Sequence, residues 1–182
     1  MLALSCVSCG PQAPRTDATL HELLSVDFEQ PGKWSATPPV LTTDDAHSGT
    51  HALYVEDSNP FSTSYRTPLS ALFPKRPRAV LLDAWVKVPS LYNDARLVLT
   101  VANPSDLEHP YFSHITYLFP SLAGNRWHHI QEQVNLPYDH VHADHVLTLY
   151  AWAATAGEKV LIDDVRLLAY REDTGLTIPA TK

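Results

Sequence analysis

The chain has 182 residues, 45% of them apolar and 18% charged, which suits one globular domain long enough to bury a core. A net charge of −7 and a pI near 5.7 argue against nucleic acid as a partner, since phosphate binding wants clustered Lys and Arg and the only basic knot is "PKRPR" at Pro74–Arg78. Fifteen prolines and four tryptophans against one methionine point to strands joined by rigid loops rather than a helical bundle.

The opening "MLALSCVSCG" resembles the tail of a bacterial lipoprotein signal peptide without its basic start, with Cys6 or Cys9 as the lipidated residue. The two cysteines also spell C-x-x-C, a redox or half-zinc spacing, but no second Cys pair and no βαβ pattern accompany them. No segment approaches the roughly 18 apolar residues of a membrane span. Residues 1–23 are therefore expected to be leader and tether, residues 24–170 the folded domain, and residues 171–182 a polar tail. The protein is expected to be exported to the cell surface or beyond, held to a membrane only by a lipid anchor, and monomeric.

From Leu24 the chain reads as strands. "LLSVDFE" is followed by "THALYVE" (Thr50–Glu56) and the short "STSYRTP". In "RAVLLDAWVKV" (Arg78–Val88), Val80, Leu82, Ala84, Val86 and Val88 form an apolar face opposed by Asp83, Trp85 and Lys87. "ARLVLTVA" (Ala95–Ala102) does the same with Leu97, Leu99 and Val101, and "YFSHITYLF", "RWHHIQEQVNL", "HVLTLYAWA" and "KVLIDDVRLLAY" complete the set. Only "LHELLS" could be read as helix. About eight to ten strands separated by Pro, Asn, Asp and Gly loops predict an all-β sandwich, a jelly roll of two antiparallel sheets.

The last strand holds a puzzle. Asp163 and Asp164 sit side by side in its middle, and strand neighbours point to opposite faces. By alternation Asp163 shares a face with Leu161, Val165 and Leu167 and is expected to point toward the core, whereas Asp164 goes with Ile162 and Arg166. A carboxylate aimed inward needs a partner.

The order "DFEQPGKW", "AHSGTHALYVE", "LLDAWVKV", "NRWHHIQEQVNLP" and "VLTLYAWAATAGEKVLIDDVRLL" resembles the carbohydrate-binding modules of the galactose-binding-like jelly-roll superfamily, over roughly Leu24 to Tyr170. The resemblance implies a structural Ca2+ clipping the first and last strands to an intervening loop, built from carboxylates and carbonyls together. Glu29 and Asp163 would supply carboxylates, and the backbones of Asp27 and of His47 or Thr50 carbonyls, with Gly49 allowing the tight turn. Without a metal, Asp163 would cap a loop or pair with a Lys.

Sugars bind to aromatic rings stacked on their C–H faces, with nearby polar groups reaching the hydroxyls. The candidate ligand residues are Trp85, Tyr150 and Trp152, with Asp83, Gln131, Arg96 and Tyr117, and with Tyr92 and Tyr111 flanking a groove; each large aromatic could instead be core or edge packing. Trp127 is expected to cover one end of the sandwich. The histidines of "YDHVHADH" (His140, His142, His145) and of "WHHIQE" (His128, His129) show no zinc-protease spacing, and no G-x-S-x-G or Gly-rich phosphate loop occurs. The expectation is a non-catalytic module binding a poly- or oligosaccharide; the alternative is a structural or protein-interaction domain of a cell-surface lipoprotein, and a hydrolase ranks below both.

Overall fold

The structure is a computed structural model that describes residues 20–72, 79–90, 93–118, 124–137, 142–154 and 158–170. Ten strands follow in chain order: β1 (Leu20–Val26), β2 (Leu41–Thr42), β3 (Ala52–Val55), β4 (Tyr65–Pro68), β5 (Ala79–Lys87), β6 (Arg96–Ala102), β7 (Phe112–Tyr117), β8 (Trp127–Asn135), β9 (Val146–Trp152) and β10 (Val160–Tyr170). An α-helical turn, α1 (Leu69–Leu72), follows β4 directly. "LHELLS" is strand, not helix: it lies antiparallel against β10, so β1 starts at Leu20, ahead of the boundary expected at Leu24. The cysteines, Tyr92, His140 and the C-terminal tail lie outside the described residues.

Two antiparallel sheets make the sandwich, one ordered β2-β3-β10-β5-β8 with β1 added on β10, the other ordered β4-β9-β6-β7. The inward faces follow the alternation of the sequence. Val80, Leu82, Ala84 and Val86 of β5 meet Leu97, Leu99 and Val101 of β6 and Leu147, Leu149 and Ala151 of β9 in one core. At one end Phe28 and Trp34 are fully covered and pack edge to face, 5.5 Å between centroids, while the Trp34 indole N–H donates to the Thr63 carbonyl at 2.8 Å.

On β10 the alternation breaks. Asp163 pairs with Trp85 and Arg166 with Asp83, so Asp164 and Val165 stand opposite the single residue Ala84. This is a β-bulge, and Asp164 takes the left-handed conformation (φ 48°) that Asp tolerates better than most residues. Val160 and Ile162 face the core before the bulge, and Val165 and Leu167 after it. Asp163 therefore does not share a face with Val165 and Leu167 as simple alternation predicts. It lies on the outer face of the six-stranded sheet, beside Trp85, where it is nonetheless completely buried.

The bulge sits at a fork. β3 pairs with Val160–Ile162 and β1 with the residues from Val165 onward, along the same edge of β10. The loop that leads into β3 fills the gap between them.

Candidate functional site

That loop answers the charge of the Asp pair. The backbone amides of His47 and Ser48 donate to Asp163 Oδ2 at 2.8 and 3.1 Å, and the amide of Asp164 donates to Oδ1 at 2.8 Å. Burial still pushes the Asp163 carboxyl up from its ordinary range, against the pull of the Ser48, Asp164 and His47 amides. Asp164 turns toward the same loop, with Oδ2 2.6 Å from His47 Nδ1 and Oδ1 accepting from the Ser48 hydroxyl at 2.7 Å.

Glu29 forms a second clasp on the loop. Oε1 accepts the amides of Thr50 and His51, both at 2.7 Å, and Oε2 accepts the Thr50 hydroxyl at 3.0 Å with His51 Nδ1 at 3.1 Å. The Thr50 amide and then the His51 ring hold this carboxyl down to about 2. Gly49 is required: its φ is 61°, and a Cβ there would stand 2.5 Å from Glu29 Oε1.

The residues expected around calcium thus divide between two neighbouring clasps, while Asp27 uses Oδ1 to accept the Glu29 amide at 3.2 Å. The loop turns N–H groups, not carbonyls, toward both carboxylates. Glu29 thus has four polar contacts from the loop and Asp163 accepts three backbone amides. A Ca2+ held by Glu29 and Asp163 would displace some of these donors, and among the described residues no three His, Cys, Asp or Glu side chains gather around one point.

The candidate sugar-binding residues fall on two opposite surfaces. Asp83, Trp85 and Gln131 occupy the outer face of the six-stranded sheet. There Gln131 donates to Asp83 at 3.0 Å, and His129 Nε2 stands 3.1 Å from the same oxygen. Trp85 is enclosed: His47 stacks on it at 3.8 Å between centroids and His129 at 5.1 Å. Trp127 abuts His47 edge-on at 5.7 Å and approaches Asp45, which pairs with Lys87. Trp85 is partly buried with two histidine rings stacked on it, which suits packing.

Arg96, Tyr117, Tyr150 and Trp152 come together on the outer face of the four-stranded sheet. Arg96 pairs in register with Trp152 on one side and Tyr117 on the other. Its guanidinium stands 4.8 Å from the Trp152 ring and 5.0 Å from the Tyr117 ring, and Asp94 grips it from the side at 2.7 and 3.2 Å. Phe61 extends the row: it bridges to Trp152 in the backbone and stacks on its ring at 5.7 Å with planes 8° from parallel. Phe61, Trp152, Arg96 and Tyr117 therefore form one strip across the strands, with Phe61 and Tyr117 each half exposed at its ends. Tyr150 lies one row behind, 6.4 Å from Phe61. Sequence reading missed Phe61 because "NPFSTS" has no strand alternation to give it a face.

The remaining aromatic candidate, Tyr111, is exposed and lies apart from the strip. Tyr111 stacks on the buried His145 at 5.0 Å, at the far end of the sheet from the strip, and His142 meets His145 edge-on. Glu132, on the edge strand β8, reaches His114 at 3.0 Å and the Thr116 hydroxyl at 2.6 Å on β7, tying the two sheets together along one side.

This sandwich is the fold of the β-sandwich carbohydrate-binding modules. Among solved structures it is similar to a CBM22 xylan-binding domain from Paenibacillus barcinonensis (TM-score 0.54, 19% identity, covering 86% of this chain and 99% of that one). It is likewise similar to the C-terminal family 22 carbohydrate-binding module of a Clostridium thermocellum protein (TM-score 0.53, 14% identity, 87% and 96%). A third is a Clostridium thermocellum endo-1,4-β-D-xylanase fragment complexed with xylohexaose (TM-score 0.54, 15% identity, 88% of this chain and 30% of that one). No protein-family model and no curated protein matches the chain. At these identities the likeness establishes the fold, and the site must be argued from its own residues.

Proposed function

We propose that this protein is a non-catalytic module that binds a β-linked polysaccharide or its oligosaccharides, xylan being the first candidate, along the Phe61–Trp152–Arg96–Tyr117 strip. The observation that carries the reading is the guanidinium of Arg96 held between two aromatic rings. Neighbouring strands lie about 4.8 Å apart, so Trp152 and Tyr117 flank Arg96 as two platforms roughly 10 Å apart. Pyranose C–H faces can lie against the half-exposed rings of Phe61 and Tyr117 at the ends of the strip and the open edge of Trp152, while the guanidinium donates to ring hydroxyls and Asp94 accepts from them. Asp94 fixes the fork in advance, so less side-chain freedom is lost on binding. The similar structures that bind xylan or hold xylohexaose support this choice of ligand. A polymeric ligand also goes with an exported protein, anchored through Cys6 or Cys9 or released.

The test is calorimetric titration with xylo-oligosaccharides, and with cello-oligosaccharides as comparison. Trp152→Ala should weaken binding at least about fivefold, the equivalent of about 1 kcal/mol of ring stacking, with little change in Tm. Undiminished binding by that variant, or no binding of either sugar by the parent protein, rejects the strip as the site.

A further inference from the structure

Beyond the strip, the same sheet carries a second feature that neutral sugar binding does not use. Seven Lys and Arg side chains are described. Lys87, Lys159, Arg96 and Arg166 each face a carboxylate, and Arg126 donates to His128. Among the described residues, only Lys33 and Arg66 have neither an acidic nor a hydrogen-bonding partner, and both line one open recess of about 490 Å³. In a chain of net charge −7, two cations left without acids around one recess are a selective feature. Its walls are polar and aromatic: Trp34, Ser35, Thr63 and Tyr65 join the two cations. Thr63 lines the recess, and its own hydroxyl is covered and has no hydrogen-bond partner among the described residues.

Position links the recess to the strip. It opens at the free edge of β4, whose Arg66 pairs in register with Thr148 of β9. Trp152 is four residues further along β9, about 13 Å at strand spacing. Lys33 also borders a smaller recess holding Asp27 and Asp164, so its long side chain can serve either, while Arg66 belongs to the large recess alone. We infer that this recess is a subsite for the carboxylate of a sugar acid, so that the protein prefers a β-linked glycan bearing uronic-acid groups over the neutral backbone. The inference rests on the strip as the backbone-binding site, and a sugar acid in the recess would lie within reach of a chain held there. Arg66 would take the carboxylate through its planar fork, with Lys33 adding charge and the hydroxyl-bearing wall reading the ring.

The experiment compares two xylo-oligosaccharides of equal length, one neutral and one carrying a single glucuronic-acid branch, and adds free glucuronate, glucose and sulfate. Expected is at least a fivefold preference for the acidic oligosaccharide at low salt, shrinking as salt is raised. Arg66→Gln with Lys33→Gln should abolish the preference while neutral-oligosaccharide affinity and Tm stay unchanged. Free glucuronate, but not glucose, should shift the Trp34 indole N–H resonance of the parent protein. Equal affinity for both oligosaccharides, or a preference that survives the double substitution, overturns the inference and leaves the strip standing. If neither oligosaccharide binds, the strip fails, and the Trp34 titration alone then decides: a glucuronate-specific shift sustains the acid subsite. No shift, or an equal shift with sulfate, rejects it.

Discussion

The imidazole of His47 lies flat on the indole of Trp85, centroids 3.8 Å apart and planes 12° from parallel. Asp164 holds that imidazole through Nδ1, and His129 covers the other side of the Trp85 region. The indole thus fastens the 47–51 loop onto the sheet. Trp85→Ala should cost about 2–3 kcal/mol in urea unfolding, short of a fully buried Trp because the residue keeps some exposure, and should leave sugar affinity unchanged. A loss of affinity with unaltered stability would return Trp85 to the binding surface.

Arg96 is placed by shape as well as charge, since it stacks between two rings and meets Asp94 through two nitrogens. Lysine keeps the charge but offers neither the plane nor the fork. Arg96→Lys should therefore weaken oligosaccharide binding about fivefold or more by titration calorimetry. Binding equal to the parent would show that only the charge, or nothing at position 96, matters.

Both carboxylates are held by donors of the chain itself, so Tm should move by less than about 1 °C between chelator and millimolar calcium. Asp163→Ala should be severe in both conditions, because it strands the amides of His47, Ser48 and Asp164, each unmet buried donor costing about 1–3 kcal/mol. A rise of several degrees with calcium that Asp163→Ala eliminates would replace the clasps with the shared ion that the family resemblance implies.

Glu29 gives a pH signature. Its folded-state value is lowered to about 2 from 4.5, so the folded protein binds fewer protons than the unfolded chain between these limits. Its stabilising contribution is then present above about pH 4.5 and lost as pH falls toward 2. The stability gap between the parent and Glu29→Gln, read by denaturant unfolding, should be widest above pH 5 and close on acidification. A gap independent of pH would mean that the Glu29 charge is not what the Thr50 and His51 amides hold.

Strand content, the two-sheet sandwich and the core faces of β5, β6 and β9 were legible in the sequence, because a period of two in apolar residues fixes which side of a strand is buried. Asp163 was legible as a buried acid in need of a partner. Which partner it has was decided elsewhere. Alternation assigns faces only while the register holds, and one left-handed residue, Asp164, moved Asp163 from the expected inner face to the outer one, under a loop more than a hundred residues earlier in the chain. The candidate aromatics divided for a similar reason. Trp85 and Trp152 have the same local pattern, an aromatic on the polar side of a strand, but only the pairing of strands shows that His47 closes over the first while Phe61 and Arg96 extend the second into a strip. What each strand buries is written locally in its sequence; what covers the opposite face depends on loops and neighbours distant in the chain, and only the tertiary structure brings them there.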